Sequence, residues 1–387
     1  MHSIRIISPV ILLVTFAVTG CAVDVGGDDA AAQTGAQSAA TAGGQSAANY
    51  QVDASWPGVL PNKWAIGEVS GLAVDRHDNI WILHRPSTLD DREAGAEQDP
   101  PTGECCLRAP PVIAFDQDQN VIKAWGGPGE GYDWPASEHG LYVDAEDNVW
   151  IGSNGERANH VLKFTAVGEL LFQIGRAGES GGCYDTRSLG GPADIHVDGE
   201  NDEVYIADGY VNRRVIVFDS NTGAYKRHWG AYGERPDDSV ELGRYQPSEE
   251  PARQFRGPVH AIQVSNDGLV YVADRRSNRV QVFQRDGTFV EEVMFDPETL
   301  SMGSTWDIEF SRDPDQTYMY VPDGTNYKVR VVRRSDFEVV GEFGSYGRNA
   351  GMFGWVHNLA MDSQGNIYTS EVIGYERVQK FVPGTNE

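Results

Sequence analysis

The sequence predicts an all-β fold, a six-bladed β-propeller with four-stranded blades. A short inner-strand motif recurs six times, at Ser70–Asp75, His139–Asp144, Ala193–Asp198, His260–Ser265, Trp306–Ser311 and His357–Asp362. Repeats of roughly fifty residues are typical of propeller blades. Alternating β-branched and aromatic residues, separated by Asp-Gly, Asn-Asp and Gly-Asn turns, indicate strands and hairpins. The body of the chain keeps no helical period.

Three further strands follow the motif in a complete repeat. In the third repeat they are predicted at Val204–Ala207, Arg214–Phe218 and Ala224–Trp229. The last repeat ends at Arg377–Val382 without a fourth strand, which would leave unpaired backbone groups at an open edge. We therefore expect residues near Tyr50–Val52 to supply that strand and close the ring.

The segment before the propeller is predicted to direct export. Residues 1–20 form a leader in which an apolar run, Ile6–Val18, is too short to span a membrane and is typical of a signal peptide. Val18–Cys21 resembles a bacterial lipobox, which predicts lipidation of Cys21; the alternative is an ordinary secretory signal with a chance cysteine. Ala22, rather than aspartate, indicates the outer membrane by the same resemblance. Residues 21–49 are predicted to be a flexible tether, and 50–387 the propeller.

The charge of the chain excludes one class of partner. The formal net charge is −26, whereas phosphate backbones demand a basic surface, so no nucleic-acid partner is expected. Electrostatic docking on anionic lipid is equally disfavoured. A covalent anchor in the cell envelope is the predicted route to a membrane.

Histidine occupies the first motif position in every second repeat, as His139, His260 and His357. Alternate blades of a six-bladed ring lie about 120° apart, so the three imidazoles converge on the axis. Three neutral imidazoles with an open fourth position describe a catalytic zinc site. The alternative is three hydrogen-bonded channel liners. His84 and His196 are off this phase and are expected to be structural.

The hairpin geometry also predicts which residues share a face with the histidines. Inner-strand starts and second-strand ends lie at the same end of an antiparallel pair. That face therefore receives Arg85, Tyr210 and Arg275, together with long insertions at 86–110, 126–138, 175–192 and 230–259. Long loops on one face of a rigid scaffold are where function usually lies. The trailing Arg213, Arg214 and Arg279 are expected to pair with loops or backbone.

Three cysteines remain in the body of the chain, Cys105, Cys106 and Cys183. An oxidising compartment predicts one disulfide. The pairing is left open, with Cys105 or Cys106 bonded to Cys183 favoured over a vicinal bridge.

The chain resembles the NHL-repeat propellers, and among them the peptidyl-α-hydroxyglycine α-amidating lyase domain. The segments that carry the resemblance are Gly67–Asp75, Leu83–Arg85, His139–Leu141, Ala207–Tyr210, Val272–Arg275 and Val356–Asn358. The resemblance implies zinc on His139, His260 and His357, a catalytic Tyr210, and active-site arginines at Arg85 and Arg275. It also implies a structural calcium held by the carbonyls of Leu72 and Leu141 and by the side chain at position 358.

Three positions depart from the family's pattern. Asn358 replaces a calcium-binding aspartate, which removes a charge and weakens that site. Trp355 stands where the family has methionine. Val211 follows Tyr210, so the family's disulfide beside the tyrosine lacks one half here.

The predicted function is zinc-dependent carbon–nitrogen bond cleavage in a carbinolamide, R-CO-NH-CH(OH)-COO⁻, giving a primary amide and glyoxylate. The substrate class is a peptide or a small molecule. The alternative is a non-catalytic NHL-repeat lipoprotein that acts as a binding scaffold. A lactonase-type propeller would need glutamate, asparagine and aspartate ligands where this chain has histidines.

Overall fold

The structure is a computed structural model that describes residues 49–384. The predicted leader, Cys21 and the predicted tether lie outside the described residues, and so do residues 385–387. Within the described part, no helix is both long and apolar enough to cross a membrane.

Six antiparallel four-stranded sheets form the blades of the predicted propeller. The strands of the first three blades follow in order from the axis outward. Blade one comprises Val69–Val74, Ile80–His84, Val112–Phe115 and Val121–Trp125. Blade two comprises Glu138–Val143, Val149–Ser153, His160–Phe164 and Leu170–Gly175. Blade three comprises Pro192–Asp198, Glu203–Asp208, Arg214–Asp219 and Tyr225–Trp229.

The remaining three blades repeat the same antiparallel order. Blade four comprises Val259–Val264, Leu269–Asp274, Arg279–Gln284 and Phe289–Met294. Blade five comprises Glu309–Phe310, Tyr318–Asp323, Lys328–Arg333 and Val339–Phe343. Blade six comprises Val356–Met361, Ile367–Glu371, Val378–Pro383 and Tyr50–Asp53.

Short elements lie in the loops. Trp64–Ala65 pairs in parallel with Leu107–Arg108. Five 3-10 turns occupy Pro61–Lys63, Pro86–Thr88, Gly95–Glu97, Ala231–Gly233 and Arg275–Ser277.

The acidic residue that closes most inner-strand motifs explains why the motif recurs. The carboxylate of Asp75 accepts hydrogen bonds from the backbone N–H groups of His77 and Asn79, both at 2.9 Å, which fixes the turn. Its other oxygen accepts the indole N–H of Trp81 at 2.9 Å. Asp144 and Trp150 repeat the contact in blade two at 3.0 Å. The two tryptophans are therefore packing residues whose polar atom is satisfied by the motif itself.

The core lies between neighbouring blades. In one cluster, Val217 from blade three packs with Val272 and Phe283 from blade four, and all three are at most 1% exposed. Comparable clusters fill the other blade interfaces. This burial fixes the blades against one another and so fixes the inner strands around the axis.

The predicted closure is confirmed, because Tyr50–Asp53 pairs with the final strand as the outer strand of blade six. The hydroxyl groups of Tyr50 and Tyr320 are 3.0 Å apart, and the Tyr50 ring centroid lies 5.1 Å from that of Phe343.

Removing this strand should destabilise the ring. We expect a chain lacking residues 1–53 to unfold at lower temperature than one lacking residues 1–48. The loss of an aromatic side chain from a core contact costs about 3 kcal/mol or more, and the deletion also opens a strand edge. Thermal unfolding of the two truncations by circular dichroism measures the difference. Equal melting temperatures would contradict the closure.

The favoured disulfide pairing was wrong. Cys105 and Cys106 form a vicinal disulfide, and Cys183 is a buried free thiol. The sulfur of Cys183 accepts the backbone N–H of Arg213 at 3.2 Å, two residues after Val211. The 175–192 insertion therefore packs against this turn through Cys183.

Candidate metal centre

The three phased histidines meet on the propeller axis. One nitrogen from each of His139, His260 and His357 lies within 4.8 Å of the others. Their ring centroids are 4.8 to 5.1 Å apart, and none is more than 2% exposed. Each histidine occupies the first motif position, at the start of an inner strand of every second blade. The three rings therefore converge on the axis.

The Nδ1 nitrogen of each ring, which points away from the other two rings, makes a hydrogen bond to an oxygen atom. The Nδ1–H of His139 donates to the Ala193 carbonyl at 2.6 Å, and that of His260 donates to the Trp306 carbonyl. Ala193 and Trp306 are the first motif residues of the next blades. His357 donates to the side-chain oxygen of Asn358. Because an oxygen acceptor fixes the proton on Nδ1, each Nε2 presents a lone pair to the axis, the tautomer that metal ligation requires.

Electrostatics also keep the imidazoles neutral. Burial lowers the pKa of His139 and of His260 well below the usual histidine value, and neighbouring imidazole and guanidinium groups lower both further. Burial and the Arg85 charge lower the pKa of His357 to about 3. Neutral imidazoles bind divalent metals without first releasing a proton. The residues present therefore fit a three-histidine metal site.

Tyr210 lies directly at this centre. Its hydroxyl is 2.9 Å from Nε2 of His139 and 3.2 Å from Nε2 of His260. The turn after the second strand of blade three positions it, because the backbone N–H of Tyr210 donates to the Gly191 carbonyl at 3.0 Å. A phenol oxygen thus occupies the side of the centre where a substrate oxygen could approach.

Arg275 is a buried cation with no carboxylate within ion-pair distance among the described residues. It is 2% exposed, and its guanidinium carbon lies 4.3 Å from the Trp306 ring centroid and 6.0 Å from that of Tyr210. Its Nε has no hydrogen-bond partner in the described part of the chain. Burial lowers its pKa, although the neighbouring tyrosine opposes the shift.

Arg85 is close to the histidines but is held by protein groups. Its Nε donates to the Glu138 carbonyl at 2.9 Å, and its two terminal nitrogens donate to Glu68 at 3.2 Å and Asn154 at 3.3 Å. Its charge nevertheless reaches the metal centre, since it lowers the pKa of His357. The two predicted arginines therefore differ, because Arg85 pairs with a carboxylate and Arg275, among the described residues, does not.

The residues that were expected to be structural are satisfied by protein partners. His84 accepts the Gly67 N–H at 3.1 Å through Nδ1, and His196 bonds Gln263 at 2.8 Å. Arg214 pairs with Asp208 at 2.8 Å, and Arg279 with Asp274 at 2.9 Å. These four side chains therefore have protein partners, as expected for structural residues.

Known proteins similar to this chain carry NHL-repeat and amidating-enzyme names. The NHL repeat family model matches residues 259–283. The chain is 26% identical over 360 residues to peptidyl-glycine alpha-amidating monooxygenase B of Xenopus laevis, covering 88% of this chain and 36% of that protein. It is 26% identical over 243 residues to a probable peptidyl-alpha-hydroxyglycine alpha-amidating lyase of Caenorhabditis elegans, covering 62% of each. It is also 26% identical over 292 residues to NHL repeat-containing protein 3 of Homo sapiens, covering 71% of this chain and 73% of that protein.

The chain is a six-bladed β-propeller that carries a match to the NHL repeat family model and is similar to proteins named as amidating lyases. It spans about a third of the length of the Xenopus laevis relative.

Below the three histidines, the channel holds acidic residues that were not predicted from the sequence. A cavity of about 310 Å³ is lined by Asp194, Asp307 and Glu309 together with the predicted calcium residues Leu72, Leu141 and Asn358. Burial raises the pKa of all three carboxyl groups, and the Asp194 charge raises that of Asp307 further. The sequence pattern could have indicated two of them, because Asp194 and Asp307 directly follow the first motif residue of blades three and five and so belong to the inner-strand motifs.

The predicted calcium residues come together, but Asn358 is already engaged. Its side-chain oxygen accepts from His357, and its amide nitrogen donates to Asp307 at 3.1 Å. The asparagine therefore links the metal centre to the acidic channel. Calcium binding by Leu72, Leu141 and Asn358 stays a prediction.

Proposed function

We propose that this propeller is a zinc-dependent carbon–nitrogen lyase acting on a peptidyl-α-hydroxyglycine or a related carbinolamide. One observation carries the proposal: three neutral imidazoles converge, and the Tyr210 hydroxyl lies within hydrogen-bond distance of two of them. The similarity to amidating lyases supports the reaction class.

The metal would be held by Nε2 of His139, His260 and His357, which leaves a fourth position for substrate. A zinc ion bound there supplies Lewis acidity, which lowers the pKa of an oxygen that it contacts.

The chain's own residues would carry the rest of the reaction. Tyr210 lies where it can accept the carbinol hydroxyl proton as the C–N bond opens, while its own hydroxyl proton passes to the leaving nitrogen. The carbon–oxygen bond then becomes the aldehyde of glyoxylate, and the nitrogen, which takes the electron pair of the broken C–N bond and that proton, becomes the primary amide. Arg275, buried without a carboxylate partner among the described residues, would hold the substrate carboxylate. Arg85 would contribute positive potential from its place beside Glu68.

Metal content tests the proposal first. We expect about one zinc per chain in the purified protein, because a three-histidine site of this kind binds a single ion. A His139→Ala, His260→Ala, His357→Ala triple variant should bind none. Elemental mass spectrometry measures both, and glyoxylate release from an α-hydroxyglycine peptide measures activity.

His196→Ala is the matched control, since its ring bonds Gln263 and belongs to no cluster of potential ligands in the described residues. The control should retain zinc. Absence of metal from the unaltered protein would contradict the proposal and favour the alternative of a non-catalytic binding scaffold.

We also propose that the chain is attached to a bacterial cell envelope through a lipid on Cys21. The support is the lipobox-like segment that ends at this residue. Cys21→Ser should move the protein from the membrane fraction to the soluble fraction, and an unchanged distribution would contradict the anchor.

A further inference from the structure

A cavity of about 630 Å³ lies between the 230–259 insertion and the loop that joins blades four and five. Its lining includes Arg244, Arg256, Arg276, Tyr245, Thr299 and Leu300. Arg276 directly follows Arg275 in a 3-10 turn, so the cavity opens on the face that carries the metal centre. The Tyr245 hydroxyl donates to the Pro297 carbonyl at 2.8 Å and ties the insertion to the loop.

The charge of this cavity is opposite to that of the chain. Aspartate and glutamate outnumber lysine and arginine by 57 to 31, yet no acidic residue belongs to the lining. Other arginines of this face are neutralised, such as Arg214 by Asp208 and Arg279 by Asp274. None of the three cavity arginines has an ion-pair partner within residues 49–384. Three uncompensated guanidinium groups in one concave site favour an anionic ligand.

Unpartnered donors give a second observation. The Nε of Arg256 is buried and has no hydrogen-bond partner among the described residues. Arg256 also lines an adjoining cavity of about 300 Å³, where the hydroxyl of Ser277, a residue 4% exposed, is likewise without a partner. Buried polar groups are normally hydrogen-bonded. Unsatisfied buried donors therefore indicate a place where a ligand or a water molecule accepts their hydrogen bonds. Glu249 and Glu250 line only the smaller cavity.

We infer that the larger cavity, which we call the arginine pocket, binds the carboxylate or phosphate group of an anionic organic ligand. Planar guanidinium groups recognise both oxyanions in bidentate geometry. The volume matches that of sites for small organic molecules, so the ligand is larger than a bare ion. The pocket is distinct from the metal centre, and the inference does not depend on the proposed lyase reaction.

Calorimetric titration of the purified protein tests the inference with three probes. They are a blocked tetrapeptide of aspartate and glutamate, its asparagine and glutamine counterpart, and inorganic phosphate. We expect the acidic peptide or phosphate to bind and the neutral peptide not to bind. Binding of the acidic peptide alone identifies carboxylate groups as the ligand chemistry, and tighter binding of phosphate identifies a phosphorylated molecule.

Variants locate the site. Arg244→Gln, Arg256→Gln and Arg276→Gln should each weaken binding about tenfold, the effect of losing one charge-assisted hydrogen bond. Arg348→Gln is the matched control, because Arg348 is exposed and stacks on Tyr375 outside the pocket. The inference is overturned if no anionic probe binds, or if Arg348→Gln weakens binding as much as the pocket variants do. Either result is compatible with full lyase activity. Failure of this inference would therefore not contradict the proposed reaction.

Discussion

Tyr210→Phe is expected to lower the rate of the proposed lyase reaction by orders of magnitude while leaving the metal bound. The phenol oxygen lies within hydrogen-bond distance of two of the three histidine Nε2 atoms, at 2.9 and 3.2 Å. Losing a positioned proton acceptor costs about 10²–10⁴-fold in rate. The ring remains, so its packing beside His139 is retained. The kcat should therefore fall with little change in KM, the pattern of a group that acts in the transition state.

Steady-state glyoxylate release and metal analysis of the same preparation give the two readouts. Tyr142→Phe is the matched control, because this phenol lines the same channel and its hydroxyl donates to the Val197 carbonyl at 3.3 Å. We expect that variant to keep its rate. If Tyr210→Phe loses zinc in proportion to activity, the hydroxyl supports the metal rather than the proton transfer.

The fold and the convergence of the three histidines were predictable because both follow from the repeat. One inner-strand motif per blade sets the number of blades, and its first position sets what reaches the axis. His139, His260 and His357 could thus be placed together without any knowledge of side-chain contacts. Tyr210 and Arg275 followed because hairpin geometry assigns second-strand ends to the same face.

The features that escaped prediction depend on contacts that no repeat encodes. The partner of Cys105 is its own neighbour, and Cys183 is buried against the turn at Arg213; sequence spacing favoured a bridge between insertions. Asp307 had no assigned role, although it pairs with Asn358 across two blades. Arg85 and Arg275 looked equivalent in sequence, and only the structure distinguishes them, because Glu68 holds one of them.

Arg275→Met is expected to weaken the reaction and to stabilise the protein. The guanidinium is buried over Trp306 with no carboxylate within ion-pair distance among the described residues, and burial lowers its pKa. An uncompensated buried charge destabilises a fold, whereas methionine keeps the volume and the contact with the indole. Replacing buried charge with an apolar side chain can stabilise a protein by about 1–4 kcal/mol. Thermal unfolding of the metal-free variant should show this increase.

The same substitution should remove selectivity for a substrate carboxylate. Two substrates separate the effect: an α-hydroxyglycine peptide and the matching N-hydroxymethyl amide, which lacks the carboxylate and would release formaldehyde. We expect kcat/KM to fall by about 10²-fold or more for the first, the cost of losing a buried charge-assisted contact, and to change little for the second.

Arg214→Met provides the opposite control. Arg214 is equally buried but pairs with Asp208 at 2.8 Å, so its loss leaves a buried carboxylate unpaired and should destabilise the protein by about 3–5 kcal/mol. Opposite changes in the free energy of unfolding for these two buried arginines would show that Arg275 binds a ligand and does not stabilise the fold. If Arg275→Met destabilises the propeller as Arg214→Met does, the side chain serves packing and the carboxylate must be held elsewhere.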